Sequence, residues 1–163
     1  DCSCYVKNGP FIGTSKNVDF IRYADVLLFK AEALIQLNRY TEALPIINQI
    51  RARAAASTAM TLAAGASNVY KVQPYPSFPS KEYAMKALMF ERRLEFGMEG
   101  PRFFDLVRWG IAEPVLNAYL DVEKTKRDFL SNAKFTAGRD EYYPIPQREI
   151  DFTGGLYKQN PKY

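Results

Sequence analysis

The segment from Phe90 to Gly110 places the strongest constraint on how this chain can fold. Its charged side chains are four carboxylates and four guanidinium groups, Glu91, Glu95, Glu99, Asp105, Arg92, Arg93, Arg102 and Arg108. Large apolar residues are interleaved with them, so a helix here cannot have one fully apolar face and one fully charged face. Some of these charges must therefore lie among apolar side chains, where each needs a partner of opposite charge.

Helical spacing places Glu91 in the middle of an apolar stripe. If the segment is helical, Glu91 shares a face with Ala84, Ala87, Leu88, Leu94, Glu95 and Met98. A buried carboxylate pairs best with arginine, whose planar fork donates two parallel hydrogen bonds. Further along, Asp105 lies three residues from both Arg102 and Arg108, so either arginine can pair with it. The segment therefore predicts a structural network of ion pairs.

The same carboxylates also allow a catalytic interpretation. Glu91 and Glu95 lie one helical turn apart and are candidates for an acid/base pair. A glycoside hydrolase of helical architecture would use Glu91 with Glu95 or Asp105, at separations of about 5–5.5 Å or 6.5–9.5 Å across an open cleft. We favour the ion network, because structural networks also perturb acids and no pattern here marks a substrate cleft. We therefore predict no catalytic residue.

The composition excludes several classes of protein. The chain has no histidine, which removes Ser-His-Asp and Cys-His nucleophiles and histidine-ligated zinc. Cys2 and Cys4 are too few for a zinc site and too close for a relaxed disulfide, so we predict neither a metal nor a cofactor. The net charge of +4 arises from 22 basic and 18 acidic residues that are interspersed, so nucleic acid is not an expected partner. No run of residues is long enough to cross a bilayer.

Two helices near the start are expected to form a hairpin. Apolar residues recur with helical spacing from about Val18 to Leu37, and Asn17 is a candidate N-cap. A second helix is expected from about Thr41 to Ala54, and the connection is so short that the two must pack antiparallel. Ala31 and Ala43 permit a close approach. This pattern is typical of a tetratricopeptide-type hairpin and equally of an ordinary helical hairpin, and either needs further helices to cover it.

Residues 57–79 predict a long loop that is rich in proline and aromatic side chains. Aromatic rings can stack on the apolar faces of sugars, which makes Tyr70, Tyr75 and Phe78 candidate ligand-binding residues. The alternative is that these rings anchor the loop to the helices. We favour anchoring, because a loop of this length needs anchors to be ordered.

The sequence from Ser80 onward predicts three further helices and an extended tail. Ser80 is the expected N-cap of a helix from Lys81 to about Met98, followed by helices from Pro101 to Trp109 and from Glu113 to about Lys124. The end of the chain is rich in proline and glycine, so we expect it to lie extended over the helices, with a short strand possible at Tyr142–Ile145.

Together these elements predict an all-α fold, a helical bundle with a tetratricopeptide-like helical hairpin, long loops and an extended C-terminal tail. With 163 residues, the chain can bury a sizeable core, and we expect a single lobe. The first 17 residues are polar and broken by glycine and proline, so they are expected to form an incoming loop or a frayed strand.

Six blocks of sequence occur in a characteristic order. They are R-Y-A-D-V-L-L-F-K-A-E-A-L from Arg22, N-Q-I-R-A-R-A from Asn48, F-E-R-R-L-E-F from Phe90, P-R-F-F-D-L-V-R-W-G from Pro101, P-I-P-Q-R-E-I from Pro144 and Q-N-P-K-Y from Gln159. Together they resemble the C-terminal region of the SusD/RagB family of Bacteroidetes outer-membrane nutrient-binding lipoproteins. Two positions depart from the family pattern. Pro101 stands where histidine is usual and Lys162 where glycine is usual, and we expect neither to alter the fold.

The resemblance implies a mostly helical protein without catalytic chemistry. Members of that family capture glycans or other nutrients at the cell surface and deliver them to a SusC-like TonB-dependent transporter, over which they close like a lid. They are lipid-anchored in the outer membrane and several times longer, so residues 1–163 resemble their C-terminal region alone. The implied partners are therefore a glycan or other nutrient and the transporter. Contact with the membrane is implied only through a lipid anchor, and neither Cys2 nor Cys4 matches the acylated cysteine of such an anchor.

The first block adds two residues to the predicted ion network. Arg22 and Asp25 would fasten the helical hairpin to the later helices, which completes the set Arg22, Asp25, Glu91, Arg92, Arg102, Asp105 and Arg108. We therefore predict a non-catalytic component of a surface uptake complex, in which this segment is mainly scaffold. A free-standing helical-repeat module that binds a protein partner is the alternative that the hairpin alone would support.

Overall fold

The structure, a computed structural model, describes residues 5–8, 11–14, 20–56 and 71–163. Predictions that fall on Cys2, Cys4, Asn17 and Tyr70 lie outside these described residues. The chain separates into two compact units, Asp1–Glu95 and Phe96–Tyr163, and each is described by itself. Six α-helices are present in the described ranges, so the predicted all-α fold is confirmed.

The first unit begins with a β-hairpin. Strands β1 (Tyr5–Asn8) and β2 (Phe11–Thr14) pair antiparallel, with Tyr5 opposite Thr14 and Asn8 opposite Phe11. The sequence predicts a loop or a frayed strand at this place. Pairing of the two short strands satisfies their backbone groups, which a loop would leave to solvent.

Three helices follow in the first unit: α1 (Tyr23–Gln36), α2 (Tyr40–Ala55) and α3 (Lys81–Glu95). Helix α1 packs against both α2 and α3, which also contact each other. The fully buried side chains at their centre are Leu28, Ala31, Ile35, Ala43, Ile47, Ala84 and Leu88. Ala31 and Ala43 are both fully buried in this core, and α3 packs against both helices of the hairpin, which supplies the cover that the hairpin needs.

Two helix ends in this unit differ from the prediction. Helix α1 begins at Tyr23 because Arg22 has an extended backbone, so Phe20 lies outside the helix and is 92% exposed. Helix α3 ends at Glu95, although its start is as predicted, with Ser80 Oγ accepting a hydrogen bond from the Tyr83 amide at 3.2 Å. The predicted apolar stripe was therefore too long, and both Leu94 and Met98 are exposed.

The second unit contains α4 (Arg102–Arg108), α5 (Ala112–Glu123), a short 3-10 helix (Asp128–Leu130) and α6 (Gln147–Phe152). Gly100 and Gly110 bracket α4 with left-handed backbones, φ +94° and +69°, as their position at a helix break and a helix end requires. The core of this unit consists of Leu106, Ala112 and Phe135, with Val107, Ile111, Val115 and Leu116 around it. Tyr119 of α5 is exposed.

The C-terminal tail differs from the prediction in two ways. It contains helix α6, because Pro146 and the Gly154-Gly155 pair stand at the helix boundaries and do not interrupt it. The described tail has no strand at Tyr142–Ile145. Side chains from the end of the chain bind backbone groups there that a neighbouring strand would need.

Candidate functional site

Glu91 is the centre of a buried ion pair in the first unit. Its side chain is buried, and its Oε1 atom contacts Nη1 of Arg51 and accepts a 3.0 Å hydrogen bond from the hydroxyl of Tyr75. The Arg51 guanidinium also donates through Nε to the Gln73 carbonyl at 2.6 Å and lies 4.5 Å from the centre of the Tyr75 ring. The sequence predicts an arginine partner for Glu91, and the structure identifies it as Arg51 of α2.

Three further ion pairs hold α3, two of them to the first turn and N-cap of α1 and one to α2. Arg92 is 2% exposed, and its Nη1 lies 3.1 Å from Oδ1 of Asp25. Glu95 accepts a 2.8 Å hydrogen bond from Nη1 of Arg22 and a 2.5 Å bond from Nη2 of Arg53. Together with the Glu91 pair they form what we call the arginine clasp: Arg22, Asp25, Arg51, Arg53, Glu91, Arg92 and Glu95.

The clasp shifts the pKa of its member Glu95 and of Tyr75, which is hydrogen-bonded to it. Burial raises the pKa of Glu95, but the hydrogen bonds from Arg53 and Arg22 outweigh this effect, so its pKa lies below the ordinary value. Burial, the negative charge of Glu91 and the hydrogen bond to Glu91 raise the pKa of Tyr75 to about 12. Tyr75 therefore stays protonated and acts as a donor at neutral pH.

These contacts bear on the catalytic interpretation of the carboxylates. Glu91 and Glu95 each contact arginine, and a lowered pKa makes Glu95 a poor proton donor at neutral pH. In the second unit, Asp105 is buried and accepts a 2.8 Å hydrogen bond from Nε of Arg108, as its spacing predicts. Arg102 lies half-buried at the start of α4. The sequence places Arg102, Asp105 and Arg108 of α4 in one ion network with residues of the clasp, and this stays a prediction.

Two aromatic residues of the described loop pack against each other and against Tyr83 of α3. Rings of Tyr75, Phe78 and Tyr83 lie 5.6–6.4 Å apart, and Phe78 is buried. The Asn48 side chain donates to the Tyr75 carbonyl at 2.9 Å and accepts from its amide at 2.8 Å. This geometry is that of an anchored loop. A ligand-binding role for Tyr70, Tyr75 and Phe78 stays a prediction.

A concave pocket of about 330 Å³ lies in the second unit, and we call it the tyrosine pocket. Its lining residues are Phe103, Phe135, Asp140, Glu141, Tyr142, Tyr143 and Tyr163. The three tyrosines are exposed, whereas Phe135 is buried and packs edge-on against Phe103 at 6.3 Å. A more open depression of about 570 Å³ shares Phe135 and Asp140 with it.

Side-chain amides fix the walls of this pocket. Asn117 of α5 accepts from the Phe135 amide at 2.8 Å and donates to its carbonyl at 2.9 Å. Gln159 makes the same reciprocal pair with Ile145, at 2.8 Å for both bonds.

The last residues of the chain hold the neighbouring backbone. Asn160 donates to the Tyr143 carbonyl at 2.6 Å, and the Tyr163 hydroxyl donates to the Tyr142 carbonyl at 2.8 Å. The Q-N-P-K-Y block therefore shapes the tyrosine pocket.

Sequence reasoning missed Arg51, Arg53, Asn48, Asn117 and the whole tyrosine pocket. Arg51 and Arg53 stand in one of the six blocks, N-Q-I-R-A-R-A. Their helical spacing from the buried residues of α2 is the signal that could have identified them. The amide pairs had no sequence signal, because each joins residues 14–27 positions apart.

Comparison with known proteins decides the family. The SusD family model matches residues 6–163. The chain belongs to the SusD family. It is 38% identical over 100 residues to SusD-like protein P38 of Formosa agariphila, across 61% of this chain and 18% of that protein. It is 26% identical over 151 residues to SusD-like protein P2 of the same organism, across 92% of this chain and 26% of that protein.

A solved structure gives the same result. The crystal structure of a SusD homolog from Bacteroides thetaiotaomicron superposes with a TM-score of 0.72 and 30% identity, covering 100% of this chain and 31% of that one. The resemblance seen in the six blocks is therefore confirmed. The chain spans about a fifth to a third of the length of these relatives.

The described residues include no group of three or more His, Cys, Asp or Glu that could hold a metal ion. Among the helices of the described ranges, none is long and apolar enough to cross a membrane.

Proposed function

We propose that this chain is part of a non-catalytic, glycan- or nutrient-binding component of a TonB-dependent outer-membrane uptake system. The observation that carries the proposal is membership of the SusD family over residues 6–163. Proteins of this family are binding proteins rather than enzymes. We further propose that the chain corresponds to the C-terminal region of such a protein, as its six blocks indicate.

Within that protein this segment acts mainly as a scaffold. The arginine clasp joins α1, α2 and α3 through ion pairs between side chains that are largely buried. Charge pairs in such positions favour one arrangement of the helices, since any other leaves a charge unpaired. We assign Tyr75 and Phe78 to anchoring the loop, because Phe78 is buried and the Tyr75 hydroxyl is bound to Glu91.

The proposed partners are a glycan or other nutrient and a SusC-like TonB-dependent transporter. We propose that the full-length protein sits at the cell surface in the outer membrane and is held there by a lipid anchor. Family membership supports each of these assignments.

Native gels that contain a polysaccharide test the binding function. The full-length protein, isolated from its source cells with an antibody to this chain, should be retarded in at least one gel of a panel containing starch, xylan, pectin or alginate. The same incubations should release no reducing sugar. Migration unchanged in every gel would oppose a glycan ligand, and release of reducing sugar would revive the hydrolase interpretation of Glu91 and Glu95.

A further inference from the structure

We propose that the tyrosine pocket of the second unit binds one sugar ring of a glycan. This inference rests on the proposed function and assigns part of the binding to residues of the C-terminal blocks. Its lining residues are different from Tyr70, Tyr75 and Phe78, which the sequence indicates as ligand candidates.

The size of the pocket suits a single ring. Its volume of about 330 Å³ lies at the lower end of the range for small-molecule sites, about 300–1,000 Å³. The adjoining depression, which shares Phe135 and Asp140, offers a path for the next ring of a longer chain. Tyr119 and Lys134 line that depression and provide a second aromatic surface and a hydrogen-bond donor.

The lining combines apolar and hydrogen-bonding surfaces in the way that a sugar requires. Phe103 and Phe135 form an apolar wall, on which the C–H face of a pyranose can lie. Tyr143 is 92% exposed, and Tyr142 is exposed beside it, so both rings are available for stacking. Asp140 and Glu141 add carboxylate groups, which accept hydrogen bonds from sugar hydroxyls.

Glu141 provides a second, independent observation in favour of a ligand, because one of its carboxylate oxygens lacks a hydrogen-bond donor. Its Oε2 atom is buried and has no hydrogen-bond partner among the residues that the structure describes. A buried acceptor without a donor costs free energy. The terminal torsion of a glutamate is broad, so a ligand hydroxyl can draw this carboxyl group into the pocket.

The same carboxylates and rings would also fit a cation, but the charges already present favour a neutral ligand. Oδ2 of Asp140 accepts a 2.6 Å hydrogen bond from the Thr136 amide, and Oδ1 lies 3.6 Å from Nε of Arg139. The Arg139 guanidinium lies 4.7 Å from the centre of the Tyr163 ring, where a bound cation would stack. The cation position on Tyr163 is thus occupied by the chain itself.

The backbone that carries the pocket is fixed before any ligand arrives. Asn117 holds Phe135, and the final residues of the chain hold Tyr142 and Tyr143 through their carbonyl groups. These bonds use backbone atoms and leave the tyrosine rings of positions 142 and 143 free to be substituted. A pocket fixed in this way loses little conformational freedom on binding.

Saturation-transfer NMR on the 163-residue chain tests the inference, with methyl glycosides of glucose, galactose, xylose and N-acetylglucosamine as probes. At least one glycoside should receive saturation on its ring C–H protons, and Tyr143→Ala should raise its Kd about fivefold. Tyr142→Ala provides a second test at the adjacent lining residue. Tyr157→Ala, an exposed tyrosine of the same unit that does not line the pocket, is the matched control and should leave Kd unchanged.

Three results would overturn the inference: no glycoside bound, binding that neither Tyr143→Ala nor Tyr142→Ala weakens, or binding of tetramethylammonium in place of the glycosides. The full-length protein separates this failure from failure of the proposed function. If it is retarded by a polysaccharide to the same extent with and without Tyr143→Ala, the inference is wrong and the proposed function stands. If neither form is retarded, the proposed function fails.

Discussion

The hydroxyl of Tyr75 donates a 3.0 Å hydrogen bond to Oε1 of Glu91, the same carboxylate oxygen that Arg51 contacts. Tyr75 belongs to the loop before α3, Arg51 to α2 and Glu91 to α3. One buried carboxylate therefore joins a loop and two helices. Each of the three side chains depends on the other two, because loss of one leaves a buried polar group without its partner.

Arg51→Ala should lower the free energy of unfolding by about 3–5 kcal/mol, because it leaves the buried charge of Glu91 without its cation. Urea unfolding followed by far-ultraviolet circular dichroism measures the change. Arg39→Ala is the matched control, since Arg39 pairs with Glu42 on the exposed surface, and such pairs contribute about 0–1 kcal/mol. Equal effects of the two substitutions would contradict the structural role of the clasp.

Alkaline conditions should reveal the raised pKa of Tyr75. Free tyrosine loses its proton near pH 10, whereas Tyr75 in the folded chain does so at about 12. Between these values the unfolded chain releases the proton and the folded chain keeps it, so stability falls as pH rises through this window. Tyr75→Phe should be less stable than the wild type at pH 8, and the difference should narrow between about pH 10 and 12. A difference that stays constant over this window would contradict the assigned pKa.

Asn117→Asp tests the reciprocal amide pair that holds Phe135. The carboxylate can still accept from the Phe135 amide but cannot donate to its carbonyl, which loses a partner in a partly buried position. We expect a loss of about 1–3 kcal/mol in the free energy of unfolding. The fluorescence of Trp109, the single tryptophan of the chain, reports on this unit. Asn132→Asp, the same change at an exposed position, should have little effect, and an equal loss there would show that the added charge is responsible.

Lys162 has a left-handed backbone, with φ +66°, at the position where the SusD/RagB pattern commonly has glycine. Lys162→Gly and Lys162→Ala both remove the hydrogen bond from Nζ to the Ala137 carbonyl, but only glycine relieves the backbone. The glycine variant should therefore be more stable than the alanine variant by about 1 kcal/mol, since that is the cost of this conformation for a residue with a Cβ atom. Thermal unfolding of the two variants side by side measures the difference, and a more stable alanine variant would contradict the assigned strain.

The helices were predictable where local signals act alone. Ser80 caps α3 through a bond to an amide three residues away, and Gly110 ends α4 with a positive φ. The buried position of Glu91 followed from helical spacing. All of these depend on residues within a few turns of one another, so the sequence determines them directly.

The partners of the buried charges were not predictable in the same way. Glu91 was expected to pair with an arginine of its own segment, and it pairs with Arg51, which is 40 residues away. That choice depends on how α2 and α3 are rotated against each other, which core packing decides.

Helix α6 was missed because Pro146 and Gly154 were interpreted as helix breakers, whereas they mark its two ends.

The measurement that tests the central claim most directly is the composition of the complex isolated from detergent-solubilised membranes with an antibody to this chain. We expect an acylated protein several times heavier than the 18.6 kDa of this chain, together with a TonB-dependent transporter in nearly equal amount by mass spectrometry. A soluble, unmodified protein of about 18.6 kDa with no transporter would contradict the account and favour a free-standing helical-repeat module.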